Sequence, residues 1–263
     1  MKTERTIRLR FGREVIYVRE PEPFVYYATF VANEYGQLSL GQGDVVLDAG
    51  ANIGDFTIKA SKKVGNTGLV VAVEPNPENV KILKKNVEVN FLNNVVIIPF
   101  ALSNKESWKY LSKNEVGGSI TDQISEIKVK TVTIMSILKQ LNLDHFDVIK
   151  MDIEGAEEFV FEELGFLTGV REIAIELHGK CNIESIPIRL GENGFALSHF
   201  TVRSVILNTL RAIVSHPFQV ASAEVFTKFL MCRSILQFLI GKNPVPSLGE
   251  TDLTILYARR NAV

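Results

Sequence analysis

The stretch VVLDAGANIGDF, residues 45–56, decides the fold of this chain. Its apolar run ends in an acid, Asp48, and is followed by Gly50 and Gly54 with Asn52 between them. This pattern is typical of a buried strand that passes through a glycine turn into a helix, because glycine lets the backbone turn tightly and approach a ligand. We therefore predict a ligand site at the carboxyl end of a parallel sheet.

Further short apolar segments follow, with helical patterns between them. The predicted strands are residues 45–50, 69–75, 94–101, 146–155, 171–178, 195–202 and 252–259. The early strands are apolar on both faces, as buried parallel strands are. Between the second and third, PENVKILKKNVEVN has apolar residues at helical spacing, and Pro77 stands at a helix-start position. The sequence thus predicts an α/β fold with a doubly wound, mostly parallel seven-stranded sheet and helices on both faces.

The remaining segments are predicted to decorate this sheet within a single domain. The expected parts are an N-terminal hairpin and helix (1–44), the core (45–202 and 249–263) and a helical insertion (203–248). Residues 105–133 predict a second hairpin, inside which we expect Trp108 to pack, with an aromatic platform for the face of a sugar as the alternative. The apolar insertion could be extra core, a lid over the substrate or a homodimer contact through 203–248. Its few scattered basic residues disfavour a membrane-surface role.

Composition limits the partners and the location of the protein. Among 263 residues, 29 are basic and 30 acidic, so no overall charge favours a nucleic acid, and none is expected as partner. The two cysteines, Cys181 and Cys232, suit a reducing compartment. The N-terminus has no apolar signal core, and no apolar run reaches the ~18 residues of a transmembrane helix. We expect a cytoplasmic protein.

Two acids at neighbouring strand ends identify the expected ligand. Asp48 would repel a phosphate but could accept hydrogen bonds from an amine, and Asn52 replaces a glycine that dinucleotide-binding loops require. Glu74 ends the next strand, where an acid can reach a ribose diol. An amine-binding acid, a glycine turn and a ribose-binding acid together predict S-adenosylmethionine as cofactor.

Six segments resemble one known family. In order they are VVLDAGANIGDFTIKAS, VVAVEPNPENVKILKKNVEVN, FALSN, VKTVTIMSIL, FDVIKMDIEGAEEFVFEEL and IAIELH. Over residues 45–180 the chain is similar to the FkbM family of S-adenosylmethionine-dependent methyltransferases, and KMDIEGAE is the most specific segment. The resemblance implies a Rossmann-like methyltransferase domain whose acceptor is a hydroxyl, often on a sugar or natural product.

The resemblance also implies a set of residues that bind the cofactor. Asp48 and the turn after it would face the methionine moiety, Glu74 the ribose, and Asn76 the adenine. The full implied set is Asp48, Gly50, Ala51, Asn52, Gly54, Glu74, Pro75, Asn76, Ala101, Leu102, Ser103 and Asp152.

The candidate catalytic residues follow the fourth and fifth predicted strands. KMDIEG carries Lys150, Asp152 and Glu154 at alternate positions, which would place them on one side of a strand. Asp152 is the first candidate for general base, Glu154 is close behind, and His178 is the rival because its usual pKa lies near neutrality. Lys150 and Glu154 could instead form a structural ion pair.

A divalent ion bound by Asp152, Glu154, Glu176 and His178 is an alternative, but the spacing does not support it, and no metal ligand is assigned. The leading hypothesis is an O-methyltransferase with a small-molecule or glycan acceptor. The alternatives are a methyltransferase for protein or RNA, a non-catalytic S-adenosylmethionine-binding module and, disfavoured by Asn52, a nicotinamide-dependent oxidoreductase.

Overall fold

The computed structural model of the chain describes residues 6–19, 24–112, 119–200, 202–216 and 253–261. The greater part of the predicted insertion, residues 217–248, lies outside the described residues, and so does Cys232. The part of it that is described, residues 203–215, is helical as predicted. None of the described helices is long and apolar enough to cross a membrane.

The elements occur in the predicted alternation. The strands are β1 (Thr6–Phe11), β2 (Glu14–Arg19), β3 (Val45–Ala49), β4 (Leu69–Val73), β5 (Val95–Ile98), β6 (Ala101–Leu102), β7 (Ser107–Leu111), β8 (Ile120–Thr121), β9 (Ile127–Val132), β10 (Val148–Met151), β11 (Glu172–His178), β12 (Phe195–His199) and β13 (Leu253–Arg260). The α-helices are α1 (Phe24–Tyr26, continued by a π-helical turn Tyr27–Val31), α2 (Asp55–Val64), α3 (Pro77–Val89), α4 (Ile134–Leu141), α5 (Glu157–Val160), α6 (Lys180–Glu192) and α7 (Val202–Ser215). A short 3-10 helix spans Gly165–Leu167.

The central sheet has seven strands in the order β12-β13-β11-β10-β3-β4-β5, which confirms the predicted α/β architecture. The five strands β11, β10, β3, β4 and β5 run parallel to one another, and β13 runs antiparallel between β11 and β12. In this register Asp48 on β3 lies opposite Lys150 on β10. The carboxyl ends of β10, β3 and β4 therefore meet at one edge of the sheet.

Both faces of the sheet are buried, which is why its strands read as nearly continuous apolar runs. Leu47, Ile149 and Ile173 pack on one face, beneath α4 and α6. Val46 and Val148 pack on the other face, against α2 and the segment that follows α1. Because water reaches neither face, the polar groups of the parallel strands are exposed only at the strand ends.

The predicted third strand, 94–101, divides into two. β5 stops at Ile98, Pro99 follows, and β6 joins a separate four-stranded sheet in the order β6-β9-β7-β8. Proline has no N–H to donate, so it interrupts the ladder there. This sheet includes the predicted inserted hairpin. The expectation that Trp108 packs inside it is wrong, because the side chain is 62% exposed.

The predicted fourth strand, 146–155, is shorter than expected. β10 ends at Met151, and the chain turns through Glu154 (φ 54°) and Gly155 (φ 94°) into α5. Positive φ is uncommon for a residue other than glycine, so this turn is strained at Glu154. Glu154 therefore does not follow Asp152 in strand alternation, and the turn alone decides where its carboxylate lies.

Candidate active site

The glycine turn after β3 forms the base of the site. Gly50 has φ 74°, and a Cβ there would lie 1.7 Å from the backbone oxygen of Asp152. Gly54 has φ 89° and precedes α2, and a Cβ there would lie 2.4 Å from a methyl carbon of Leu83. The N–H groups of Gly50 and Ala51 both donate to the backbone oxygen of Val73 at 2.9 Å. Glycine allows the close approach of Gly50 to the segment after β10 and of Gly54 to α3, while the two hydrogen bonds to Val73 hold the turn against β4.

Glu74 joins the loops that follow β3 and β4. Its carboxylate accepts hydrogen bonds from the N–H of Asn52 (2.9 Å), the N–H of Asn76 (2.8 Å) and the side-chain amide of Asn79 (3.1 Å). The side chain is buried, and burial raises its pKa even though these hydrogen bonds oppose the shift. A carboxylate has about four acceptor positions, and three are occupied here, so Glu74 can accept from one further hydroxyl of a diol. Asn76 caps α3 by accepting from the N–H of Glu78.

Asp48 and Lys150 form a buried ion pair beneath the turn. Lys150 Nζ lies 3.4 Å from Asp48 Oδ1, and the two side chains are 5% and 0% exposed. Nζ also donates to the backbone oxygen of Gly50 at 2.7 Å, and the Thr57 hydroxyl donates to Asp48 Oδ2 at 2.5 Å. The amine that meets Asp48 is therefore that of Lys150. A contact of Asp48 with the cofactor stays a prediction, and Lys150 pairs with Asp48 rather than Glu154.

Four further carboxylates interact electrostatically with Lys150: Glu34, Asp55, Asp152 and Glu176. Burial would lower the pKa of Lys150, but the charges of Asp48, Asp152, Asp55 and Glu176 outweigh burial and raise it. Burial and the neighbouring acids raise the pKa of Glu34 well above its usual range and that of Glu176 to about 7. Burial raises the pKa of Asp55 to about 6, against the opposing effects of Lys150 and Thr29.

His178, at the end of β11, lies close to three carboxylates that follow β10. Its Nε2 lies 3.5 Å from Glu154 Oε2 and 3.7 Å from Asp152 Oδ1, and its Nδ1 lies 3.1 Å from Glu157 Oε1. Burial would lower the pKa of His178, but the hydrogen bond with Glu157 and the charges of Asp152 and Glu176 raise it to about 9. We call Asp152, Glu154 and His178 the acid–histidine cluster.

The acid–histidine cluster also has the ligand types that a metal ion uses. One ligand atom from each of its three residues lies within 4.8 Å of the others. Their charges already pair with one another across these distances. These distances alone assign no metal ligand.

The structure brings together three of the four predicted catalytic residues. Asp152, Glu154 and His178 are half-buried in the acid–histidine cluster, whereas Lys150 is buried behind the glycine turn. The predicted cofactor residues Ala101 and Leu102 are buried in β6 at the end of β5, and Pro75 links Glu74 to the cap of α3.

Sequence reasoning missed three acids of the site, Glu34, Asp55 and Glu157. Asp55 directly follows the glycine turn and Glu157 lies within the family segment KMDIEGAEE, so both had a signal in the motifs. Glu34 lies between α1 and β3 in a segment without a motif, and only the tertiary structure places it among the acids.

Comparison with known proteins identifies the family. The model for the methyltransferase FkbM domain matches residues 48–192, more than half of the chain. The chain belongs to the FkbM methyltransferase family. The solved structure of methyltransferase FkbM from Methylobacillus flagellatus KT has a similar fold, with a TM-score of 0.50 and 16% identity. That similarity covers 64% of this chain and 44% of the M. flagellatus chain.

The chain also matches two curated relatives that carry the names of other methyltransferases. The probable cobalt-precorrin-6B C(15)-methyltransferase (decarboxylating) of Sulfurisphaera tokodaii is 31% identical over 140 residues, which are 52% of this chain and 69% of that protein. Protein-L-isoaspartate O-methyltransferase 1 of Archaeoglobus fulgidus is 36% identical over 91 residues, which are 33% of this chain and 42% of that protein.

The FkbM chain is an S-adenosylmethionine-dependent methyltransferase, and its site fits that cofactor. Asp152 Oδ1 is buried without a hydrogen-bond partner among the described residues, so it can accept from a bound group, whereas Asp48 Oδ1 faces Lys150 Nζ at 3.4 Å. Lys59 interacts with Asp55 and Glu34, and Lys150 interacts with Asp48, Asp152, Asp55 and Glu176. Carboxylates beside a glycine turn suit the sulfonium and ammonium groups of the cofactor, and Glu74 suits its ribose.

Proposed function

We propose that this FkbM methyltransferase methylates a hydroxyl group of a sugar, glycan or other small natural product. The observation that carries the proposal is the position of the acid–histidine cluster. Two carboxylates and an imidazole converge at the carboxyl ends of β10 and β11, beside the turn of Gly50. Clustered carboxylates suit an acceptor that must lose a proton, as a hydroxyl does when it is methylated.

The residues of the cluster have different roles in proton removal. With a pKa of about 9, His178 is mostly protonated at neutral pH, so it is a poor base and serves as the cation that pairs with the acids. Asp152 is the first candidate for the general base, because its buried Oδ1 has no hydrogen-bond partner among the described residues. Glu176, with a pKa of about 7, is the adjacent carboxyl that can share the proton. Bound S-adenosylmethionine supplies the methyl group.

The choice of a small hydroxyl compound over RNA as the methyl acceptor rests on the balanced charge of the chain and on the acidic residues of the site. With 29 basic and 30 acidic residues the chain lacks the positive field of an RNA-binding enzyme, and a cluster of acids would repel phosphates. A carbon acceptor is the second candidate, because a relative at 31% identity is named as a C(15)-methyltransferase. Methylation of a protein carboxyl is a third outcome that the same experiment can detect.

Transfer of a labelled methyl group tests the proposal. Cell extract is incubated with the protein and S-adenosylmethionine carrying a ¹³C-methyl group, and the product is examined by carbon NMR and mass spectrometry. A methoxy carbon on a small polyol or glycan is expected. A label on a ring carbon, on protein or on RNA would overturn the O-methylation proposal and identify the competing acceptor.

Two variants separate catalysis from binding alone. Asp152→Asn and His178→Ala should each reduce methyl transfer by at least about 100-fold, the usual contribution of a general base or its partner. The exposed Glu158→Gln, on α5, is the matched control and should be unaffected. Full biological output from both active-site variants, with cofactor still bound, would instead indicate a non-catalytic S-adenosylmethionine-binding module.

A further inference from the structure

Glu157 occupies an unusual position for a charged residue. It is the first residue of α5, yet its side chain is 0% exposed. Carboxylates are almost never fully buried unless several donors compensate for the lost water. The donors come from three separate segments: the turn after β10, the end of β11 and helix α6.

The contacts of Glu157 are all with groups that can donate. Oε2 accepts from the side-chain amide of Asn182 at 2.7 Å. Oε1 accepts from the N–H of Gly155 at 3.2 Å and from the N–H of Ile153 at 3.4 Å, and it lies 3.1 Å from His178 Nδ1. A carboxylate oxygen only accepts, so this contact requires the proton on Nδ1 of the imidazole.

That contact orients the ring of His178. With Nδ1 directed to Glu157, Nε2 is the nitrogen that faces Asp152 and Glu154, at 3.7 and 3.5 Å. The amide of Asn182 also donates to the backbone oxygen of His178 at 2.8 Å, so the same group holds the strand end and the carboxylate. The side chain of His178 is 15% exposed and has little freedom to adopt another orientation.

The contacts of Glu157 with backbone N–H groups stabilise the strained turn after β10. Ile153 and Gly155 flank Glu154, whose φ of 54° is unfavourable for a residue with a side chain. Their N–H groups both point to Glu157 Oε1. One buried carboxylate thus connects the turn that carries Asp152 and Glu154 with the imidazole that faces them.

We propose that Glu157 is the positioning residue of the acid–histidine cluster: it fixes His178 with its proton on Nδ1 and holds Glu154 in its strained turn, so that both face Asp152. This role rests on the proposed hydroxyl methylation for its chemical purpose. The positioning itself is a property of the protein alone and can be measured without an acceptor. Glu157 does not contact the reacting atoms in this role.

The test compares Glu157→Gln with Glu158→Gln, its exposed neighbour on α5. Glutamine has the same shape, but its amide group must face a donor, either Asn182 or His178. Long-range ¹H–¹⁵N NMR of the histidine side chains reports the tautomer and the titration of His178. The wild-type protein and Glu158→Gln should show a protonated Nδ1 that persists when Nε2 loses its proton. Glu157→Gln should lower the midpoint of the titration and change the tautomer.

Activity and cofactor binding complete the test. Once an acceptor is available, Glu157→Gln should lower kcat by about 100-fold and shift the pH profile, while the Kd for S-adenosylhomocysteine remains unchanged. Glu157→Asp, which keeps the charge, should recover part of the rate. Equal titration of His178 in wild type and Glu157→Gln, or a wild-type imidazole with its neutral-form proton on Nε2, would overturn the proposal.

The positioning role of Glu157 can be judged separately from the folding of the variant and from the proposed hydroxyl methylation. If Glu157→Gln does not fold, the titration of His178 in Glu157→Asp takes its place, and a wild-type imidazole with its neutral-form proton on Nε2 still overturns the proposal. If no hydroxyl acceptor is found but His178 titrates as described, the proposed function fails and the positioning role stands.

Discussion

Lys150 and Asp48 lie opposite each other on β10 and β3, and their charged groups form an ion pair at 3.4 Å with almost no exposure to solvent. The amine also donates to the backbone oxygen of Gly50, so the pair joins two strands and the glycine turn. The charge pair is thus part of the base on which the cofactor site is built. Its contribution is to stability and to the shape of the turn.

Removal of one partner of the Asp48–Lys150 ion pair should destabilise the protein. Lys150→Met leaves Asp48 buried without its cation, and we expect the free energy of unfolding to fall by roughly 3–5 kcal/mol. Urea unfolding followed by circular dichroism measures the change. The double variant Asp48→Asn, Lys150→Met removes both charges and should be more stable than Lys150→Met alone. A single variant as stable as wild type would show that the pair is not the support of the turn.

Gly50 should tolerate no side chain. A Cβ at this position would lie 1.7 Å from the backbone oxygen of Asp152, so Gly50→Ala must displace either the turn or β10. We expect loss of cofactor binding by calorimetry, with a lower Tm. Gly194→Ala is the matched control, because Gly194 has a similar φ of 83° but its nearest atom would be 4.0 Å from the new Cβ. Similar losses in the two variants would mean that backbone strain, rather than the close approach, limits Gly50.

Glu74 should determine cofactor affinity. Glu74→Gln places an amide donor against the N–H groups of Asn52 or Asn76 and weakens the acceptor offered to a ribose. Hydrogen bonds to charged groups contribute roughly 1.5–3 kcal/mol, so the Kd for S-adenosylhomocysteine should rise about 10- to 100-fold. Glu78→Gln, at a half-exposed position one turn away on α3, should bind as wild type does. An unchanged Kd in Glu74→Gln would contradict the assignment of the ribose site.

The pH dependence of methyl transfer should follow the acids around His178. Glu176 has its pKa raised to about 7, so below that pH it is protonated and can no longer share the proton that Asp152 removes. His178 has a pKa of about 9, and above that pH its positive charge no longer pairs with the carboxylates. We expect kcat/KM to rise through about pH 7 and to fall above about pH 9. Glu176→Gln should abolish the rise, and a rise at the same pH in that variant would exclude Glu176 as its source.

The strands of the central sheet could be predicted from the sequence, but not all of the points at which they end. Apolar runs such as those of β3 and β4 are confirmed because buried parallel strands must be apolar on both faces. The break at Pro99 had a local signal, whereas the left-handed turn at Glu154 did not, because strand alternation and a strained turn give the same residue pattern. The position of Trp108 was predicted wrongly because apolar character alone does not define which face of a small sheet is covered.

The site was predictable where motif and strand end coincide. Asp152, Glu154 and His178 follow β10 or end β11, and neighbouring parallel strands bring their carboxyl ends together. Glu34 and Asn182 come from distant segments whose sequence has no feature of a site. The contact of Glu157 with His178 likewise depends on the path of the turn, which no local pattern determines.

A crystal structure of the protein with S-adenosylhomocysteine tests the central claim most directly. We predict the ribose hydroxyls within hydrogen-bond distance of Glu74 and the amino-acid portion above the turn of Gly50, with the sulfur directed toward Asp152 and His178. A cofactor bound elsewhere, or one whose sulfur points away from the acid–histidine cluster, would contradict the claim.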